Sequence, residues 1–272
     1  MKVNPRISRI VIYPVKSLDG VDLQRAMITE GGCLLHDREF AVTYENGKFV
    51  NGKSNILVHS LRSSVDFEND TILFRHQNEN DWNVFHYQKE IGVINFYLSE
   101  FFGIPVYLKQ NKNGRFLDIP DISGVTVLST ESLRSVSGWF SNMNLSETRK
   151  RFRASIEIEG VPAFWEDKLF LKEGTAVKFK AGDVSLLGIS PRARCIVPTR
   201  HPENGEVHRG FQKTFSNYRR ECLPEWSTLS DYGHFYFLSV DCLITDSETG
   251  KWIKVGDEIV IEGEENSNVP EL

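Results

Sequence analysis

Cys195 is the residue in this chain whose neighbours point most directly to chemistry. It lies in the segment Pro-Arg-Ala-Arg-Cys-Ile-Val-Pro-Thr at 191–199, where Arg192, Arg194 and the nearby Arg200 supply positive charge and no acidic residue occurs. A guanidinium close to a thiol favours the thiolate, which is the form that attacks electrophiles and binds metals. Cysteine is also a common buried space-filler. The rest of the sequence has to decide between a functional and a packing role.

A second cluster of basic residues occupies 151–158, where apolar and polar residues alternate strictly. The alternation predicts a strand with Arg151, Arg153 and Ser155 on one face. Two forked guanidiniums on one face can hold the oxygens of a phosphate bidentately. The alternative is a charged strand face in contact with solvent, and the pattern alone does not separate the two.

A third candidate grip for an anion follows the first predicted strand. Lys16 and Ser17 come directly after Pro14 and present an ammonium beside a hydroxyl, and Arg38 follows in the next segment. Such a pair suits an oxyanion, although a solvated turn lysine has the same sequence appearance. No G-x-x-x-x-G-K-[ST] sequence is present, which argues against a nucleotide P-loop.

Two other kinds of catalytic centre find no support in the motifs. Cys195, His201 and His208 lie close together, but the paired spacings of structural zinc sites and the H-E-x-x-H of zinc proteases do not occur. A serine hydrolase is also unsupported, because the chain has no G-x-S-x-G sequence.

Composition limits the partners and the compartment. The 272 residues carry a formal net charge of −5, which argues against general nucleic-acid binding. The four cysteines are widely spaced and the chain starts without a basic and apolar leader, so we expect reduced thiols in the cytoplasm. No stretch approaches the roughly 20 apolar residues that span a bilayer, so no membrane contact is predicted.

Period-2 alternation with intervening turns predicts a mainly β protein with a few helices, an α+β fold. Strands are expected at 9–13, 39–44, 65–67, 71–74 and 125–128. The spacing of Ile91, Ile94, Leu98 and Phe101 predicts a helix that ends at Gly103.

The turn-rich stretch at 118–124 divides the chain into two predicted domains, 1–118 and 119–272, with a polar tail from about 263. A short helix is expected to begin after 128, where Ser129 or Thr130 serves as its N-cap. A strand-to-helix junction of this type turns backbone N–H groups toward a possible anion.

Read in order, the short motifs resemble those of the MOSC family. They are Tyr-Pro-Val-Lys-Ser at 13–17, Asp-Arg at 37–38, Leu-Ser-Thr-Glu-Ser-Leu at 128–133, Arg-Phe-Arg-Ala-Ser-Ile at 151–156, Arg-Cys-Ile-Val-Pro-Thr at 194–199 and Pro-Glu-Asn-Gly-Glu at 202–206. The chain is similar to two-part proteins in which an N-terminal MOSC β-barrel domain precedes a MOSC β-barrel domain, the group of the mitochondrial amidoxime-reducing component. The likeness runs over about residues 5 to 262.

This resemblance implies a molybdenum cofactor, a molybdopterin whose metal takes one protein thiolate. Cys195 aligns with that ligand, and a soft sulfur suits a molybdenum already bound by thiolates. The positions that match the rest of the cofactor site are Lys16, Ser17, Arg38, Ser129, Thr130, Arg151, Arg153, Ser155 and Arg194. Relatives often carry asparagine where this chain has Ser155, serine where it has Ala193 and aspartate where it has His201.

The implied function is an oxidoreductase that reduces N-hydroxylated compounds by oxygen-atom transfer. Its partners would be a small-molecule substrate and a separate electron-donor protein of the ferredoxin, cytochrome b5-like or flavin reductase type, because the chain has no ferredoxin-like cysteine spacing. One alternative is a sulfur carrier for metal–sulfur cofactor assembly, with a persulfide on Cys195. Another is a binding domain that has lost its chemistry, in view of Ala193 and Ser155.

Overall fold

Alternating apolar residues turn most of the first part of the chain into strands. The computed structural model describes residues 4–113, 115–118, 122 and 124–266. The elements of the first part are β1 (Arg6–Ile12), β2 (Val21–Leu23), β3 (Arg25–Met27), β4 (Phe40–Tyr44), β5 (Leu61–Asp66), β6 (Thr71–His76), β7 (Asn83–His86), α1 (Ile91–Phe102) and β8 (Val106–Gln110).

The second part begins with a strand and a short helix, as predicted. Its elements are β9 (Val125–Ser129), α2 (Thr130–Gly138), α3 (Leu145–Phe152), β10 (Ile156–Glu159), β11 (Thr175–Ala181), β12 (Val184–Ala193), α4 (Phe211–Glu221), β13 (Phe237–Leu243), β14 (Trp252–Lys254) and β15 (Ile259–Asn266). The prediction of a mainly β fold with a few helices is confirmed. No helix in the described part of the chain is long and apolar enough to cross a membrane.

The largest sheet contains strands from both ends of the sequence. Its eight strands run in the order β15-β11-β12-β13-β9-β10-β1-β2. β1 pairs antiparallel with β10, so that Ile10 lies opposite Ile156, and β3 pairs with β14. Ile7 and Ile10 are buried in the same core as Val127. The predicted boundary at 118 is therefore a boundary in the sequence, but β1 and β3 from before it pair with strands that follow it.

A smaller unit is formed by the remaining N-terminal elements. β4 pairs with β8, and β5, β6 and β7 form a three-stranded sheet. Ile94 and Leu98 of α1 pack into the core between them, as their spacing predicts, whereas Ile91 is exposed. Gly103 ends α1 in the left-handed conformation at φ 66°, the usual role of glycine after a helix. In the described residues none of the sheets closes into a barrel.

The strand predicted for 151–158 is wrong in its first half. Asn144 caps α3 by accepting the N–H of Glu147, and Arg151 bonds Glu147 one turn earlier at 2.6 Å. These two interactions keep Arg151 helical. Arg153 then ends the helix in the left-handed conformation, and the strand begins only at Ile156.

The polar tail expected from about 263 starts within the last strand of the sheet. β15 continues to Asn266, which lies opposite Thr175 of β11. Cross-strand ion pairs join Glu262 to Lys180 at 2.9 Å and Glu265 to Lys178 at 3.1 Å. Opposite charges on paired strands favour the sheet, which explains a strand with little apolar character. Residues 267–272 lie outside the described part.

Gly188 in β12 allows the sheet to pass close to the turn at 165–169. A Cβ atom added at Gly188 would fall on the carbonyl oxygen of Leu169. We expect Gly188→Ala to lower the free energy of unfolding by about 3 kcal/mol or more, because backbone atoms cannot move aside as a side chain can. Denaturant titration followed by circular dichroism measures this change.

The matched control is Gly92→Ala in α1, where an added Cβ meets nothing within 4 Å. This substitution should stabilise the chain slightly, by about 0.5 kcal/mol, since alanine is the better helix former. Equal effects at the two positions would contradict the close packing of Gly188.

Candidate functional site

A cleft of ≈ 1190 Å³ brings Cys195 together with residues from both parts of the chain. Seven of the residues predicted from the sequence line it, namely Lys16, Ser17, Arg38, Arg151, Arg153, Arg194 and Cys195. The other three predicted positions, Ser129, Thr130 and Ser155, do not line it. The sequence motifs thus meet in space although they are far apart in the chain.

The thiol of Cys195 is accessible from this cleft. Cys195 follows the end of β12, and its side chain is exposed and forms no disulfide. Two other cysteines differ in this respect, because Cys33 and Cys242 are buried. Burial, with a smaller effect of Asp37, raises the pKa of Cys33 to about 11, and burial also raises the pKa of Cys242. Cys222 is exposed but lines neither the cleft nor its neighbouring cavity.

Arg194 places a partly free guanidinium beside this thiol. Its Nη2 donates to the carbonyl of Phe152 at 2.8 Å, and its guanidinium lies 5.4 Å from the centre of the Phe152 ring. Burial and then repulsion from Arg192 lower the pKa of Arg194 to about 10, while the Cys195 sulfur acts in the opposite direction. In the described residues no carboxylate forms an ion pair with Arg194. An anion in the cleft would relieve this repulsion.

Arg153 is the second cation of the cleft without an acidic partner in the described residues. Its guanidinium lies over the ring of Tyr13 at 4.0 Å from the ring centre, and burial lowers its pKa. Its φ of 52° is an uncommon conformation for a residue other than glycine. Such conformations persist where the surrounding structure enforces them, often at functional sites. The strand predicted from the sequence missed this geometry.

Lys16 and Arg38, in contrast, are held by carboxylates. Lys16 Nζ donates to Asp118 Oδ1 at 2.6 Å and to the carbonyl of Phe116 at 2.8 Å, and Arg38 pairs with Asp37. Burial lowers the pKa of Lys16, an effect that Asp118 partly offsets. The sequence reasoning did not identify Asp118 as a partner, since nothing in its spacing from Lys16 marks the contact.

Arg192 is the third cation of the cleft that carboxylates hold in place. Its guanidinium bonds Asp241 at 2.6 Å and reaches Asp118 at 3.4 Å. Asp118 therefore joins the N-terminal Lys16 to Arg192 near the end of β12.

Arg151 lies at the cleft but fixes the chain that follows Cys195. Its Nη1 donates to the carbonyls of Pro198 at 2.7 Å and Arg200 at 2.6 Å, and its Nη2 bonds Glu147. These bonds leave Arg151 little freedom to bind a ligand. Its geometry assigns it to positioning the segment 198–200.

Ser129, Thr130 and Ser155 are buried and do not line the cleft, so their contact with a cofactor stays a prediction. The Ser129 hydroxyl accepts the N–H of Ser132 as the N-cap of α2, and the Thr130 hydroxyl lies 3.2 Å from the Ser8 hydroxyl. Ser155 is fully enclosed beside Thr126. The capping prediction for Ser129 is confirmed, but the helix start faces the protein interior.

An aromatic wall near Cys195 went unnoticed in the sequence. His234 stacks on Phe237 with ring centres 4.1 Å apart and an angle of 4° between the planes, and Tyr232 lines the cleft beside them. His234 Nδ1 accepts the N–H of Tyr236 at 3.1 Å, so in the neutral ring Nε2 carries the proton. Tyr232 and His234 lie in an irregular segment without a periodic signal, and Phe237 begins β13.

Comparison with known proteins finds two family matches in this chain. Residues 4–95 match the family described as the MOSC N-terminal beta barrel domain, and residues 120–260 match the MOSC domain. The chain is 21% identical over 303 residues to a molybdenum cofactor sulfurase of Oryza sativa subsp. japonica, an alignment that covers 93% of this chain and 35% of the rice protein. This chain thus spans only part of that relative.

A second relative is the mitochondrial amidoxime reducing component 2 of Bos taurus. It is 25% identical over 256 residues, which cover 78% of this chain and 72% of the bovine protein. Both relatives carry names connected with molybdenum cofactor or with reduction of amidoximes, and both align along most of this chain.

The bracing of Lys16 by Asp118 should appear as a pH-dependent stability. Burial alone would raise the pKa of Asp118, but Lys16, Arg38 and Arg192 together hold it at about 2, below the ordinary 3.8. The contribution of Asp118 is therefore fully present above pH 3.8 and disappears as the pH falls through about 2. We expect Asp118→Asn to lower the melting temperature by a few degrees at pH 6, and the difference from wild type to shrink toward pH 2.

Thermal unfolding of both proteins across this range checks the expectation. The control is Asp81→Asn, which changes an exposed acid without an ion pair in the described residues. A gap between wild type and Asp118→Asn that stays constant down to pH 2 would contradict the assigned bracing.

Proposed function

The chain belongs to the MOSC family, and on that basis we propose that it is a molybdenum-cofactor-binding oxidoreductase that reduces N-hydroxylated compounds. The observation that carries the proposal is an exposed cysteine in a cleft where two guanidiniums lack acidic partners in the described residues. Those guanidiniums belong to Arg153 and Arg194, and both lie with Cys195 in the same cleft.

The residues of the cleft fit such a cofactor in size and in charge. A volume of ≈ 1190 Å³ is slightly above the usual range of cofactor and drug sites, so it has room for a pterin and a small substrate together. A thiolate is a suitable ligand for a metal held by other sulfur atoms. Cationic side chains suit the anionic end of the molecule.

In this proposal Cys195 holds the metal and Lys16, Ser17 and Arg38 hold the cofactor phosphate. Lys16 and Arg38 keep their geometry through Asp118 and Asp37, so they are oriented before any ligand arrives. Arg153 is fixed by the Tyr13 ring at 4.0 Å and offers its free guanidinium edge to the cleft. Preorganised donors lower the entropic penalty of binding.

When bound, the cofactor would supply two-electron oxygen-atom chemistry. An N–OH group would take up two electrons and two protons and become an N–H group, with release of water. The electrons come from a separate donor protein. The aromatic wall of His234 and Phe237 offers a flat surface for a planar substrate beside Cys195. The Nε2 proton of His234 is available on the same wall.

A second function rests on the accessibility of the same thiol. The relative from rice is named a molybdenum cofactor sulfurase and aligns with 93% of this chain. A free, exposed Cys195 is equally suited to carry a persulfide and pass its outer sulfur to an acceptor. The two functions differ in whether the protein holds stoichiometric metal.

Replacement of the proposed metal ligand gives the decisive test. Protein from a molybdenum-competent host should contain stoichiometric molybdenum, and Cys195→Ala should lose most of it along with reduction of an N-hydroxylated amidine, because no other thiol lines the described cleft. Cys222→Ala changes the other exposed cysteine and should retain both. Elemental analysis and a reductase assay measure the outcome.

Two results would go against the oxidoreductase. Full metal and activity in Cys195→Ala would remove the assigned ligand. Metal-free wild type with one additional reductant-labile sulfur on Cys195, seen by mass spectrometry of the intact chain, would establish the sulfur carrier instead.

Arg153 provides a test of the anion grip that leaves the thiol unchanged. We expect Arg153→Gln to lose bound molybdenum and pterin roughly tenfold faster during extended dialysis, since one charge-assisted contact is removed. The control is Arg25→Gln, because Arg25 also stacks on an aromatic ring, that of Trp252 at 4.5 Å, but lies outside the cleft. Equal retention in the two variants would show that Arg153 does not hold the cofactor.

A further inference from the structure

A second cavity of ≈ 380 Å³ adjoins the cleft. Ser17, Arg151 and Arg153 line both cavities, so the two adjoin at these residues. We call the second cavity the arginine recess, after its six lining arginines Arg9, Arg62, Arg149, Arg151, Arg153 and Arg200. Arg9, Arg62 and Arg149 of this lining are not among the positions predicted from the sequence for the cofactor site.

Four of these arginines have acidic partners, and one of the four is Arg151, which bonds Glu147. Arg9 bonds Glu157 at 3.0 Å and also Asp22, while Arg149 bonds the second oxygen of Glu157 at 2.8 Å. Arg62 pairs with Asp19 at 3.1 Å. The buried Glu157 carboxylate thus holds two guanidiniums of the wall in place, and their charge toward the recess is largely compensated.

Arg153 and Arg200 have no acidic partner in the described residues. Arg200 donates from Nη1 to the carbonyl of Gly205 at 3.3 Å, and its buried Nε has no hydrogen-bond partner there. A buried donor without a partner is unfavourable unless a ligand satisfies it. Arg153 reaches the recess from the cleft side, so that the two uncompensated cations lie on the lining of one small cavity.

We propose that the arginine recess binds a phosphate ester carried by a ligand that also occupies the cleft. Two forked guanidiniums match the several oxygens of a phosphate, and a carboxylate would engage fewer of their donors. The volume of ≈ 380 Å³ is within the range of small-molecule sites and is large enough for more than a single phosphate group. An enclosed recess on a chain of net charge −5 does not suit a nucleic-acid strand.

Lys16 and Arg38 line the cleft but not the recess, whereas Ser17 and Arg153 line both. The phosphate proposed for the recess is one beyond that assigned to Lys16 and Arg38. The inference rests on the proposed function only for the source of that phosphate, which is either an extension of the cofactor or a phosphorylated substrate. The binding site itself is testable without any metal.

The test uses adenosine 5′-monophosphate as the probe and calorimetric titration at low ionic strength as the measurement. Protein made in a host unable to synthesise the pterin should bind this nucleotide and should not bind adenosine. Arg200→Gln should weaken the nucleotide roughly tenfold, because a charge-assisted contact is lost. The control Arg134→Gln removes an exposed arginine paired with Glu131, which lies outside both cavities.

Repeating the titration with protein from a competent host identifies the source. Loss of nucleotide binding in cofactor-loaded protein means that the cofactor itself reaches into the recess, and retained binding means that a phosphorylated substrate does. No binding to cofactor-free protein, or equal binding by wild type and Arg200→Gln, would overturn the proposal. Neither of these two results alters the molybdenum content of wild type or Cys195→Ala, so failure here is separate from failure of the proposed function.

Discussion

The structure depends on ion pairs that neutralise positive side chains where the two parts of the chain meet. Lys16, Arg38 and Arg192 lie on one cleft, and cations brought together out of water repel one another strongly. Asp118 relieves this repulsion because it contacts Lys16 at 2.6 Å and Arg192 at 3.4 Å. It therefore links the end of the N-terminal part to the strand that leads to Cys195.

Two other cations of the cleft differ from Lys16, Arg38 and Arg192, because they form no ion pair in the described residues. Arg153 and Arg194 are enclosed beside aromatic rings, and burial lowers the pKa of both. A guanidinium kept in such surroundings without a carboxylate is unfavourable in the free protein, and a bound anion removes the imbalance. Carboxylates neutralise the cations that join different parts of the chain. The two cations proposed to contact a ligand have no carboxylate partner in the described residues.

Residue type and immediate neighbours were enough to predict several residues that the structure brings to the cleft. Cys195 among arginines and Lys16 after a strand were identified in this way, as was the helix at 91–102. Arg151 was predicted in a strand because alternation over a few residues also fits the last turn of a helix. The helix is decided by the cap at Asn144 and by the bond between Arg151 and Glu147, which join residues further apart in the chain than the alternating neighbours. Ser129 was a true N-cap, but which way a helix start faces is set by packing across the sheet, which local sequence does not encode.

The connection between the two ends of the chain explains why the remaining features escaped prediction. β1 pairs with β10 more than 140 residues away in sequence, and this pairing brings the turn at Lys16 to the cleft. Glu157 of β10 then meets Arg9 of β1 and Arg149 of α3, so one buried carboxylate links two neighbouring strands of the sheet to the wall of the arginine recess. Because long-range pairing of this kind determines both cavities at once, the recess follows from the same strand order that assembles the cleft.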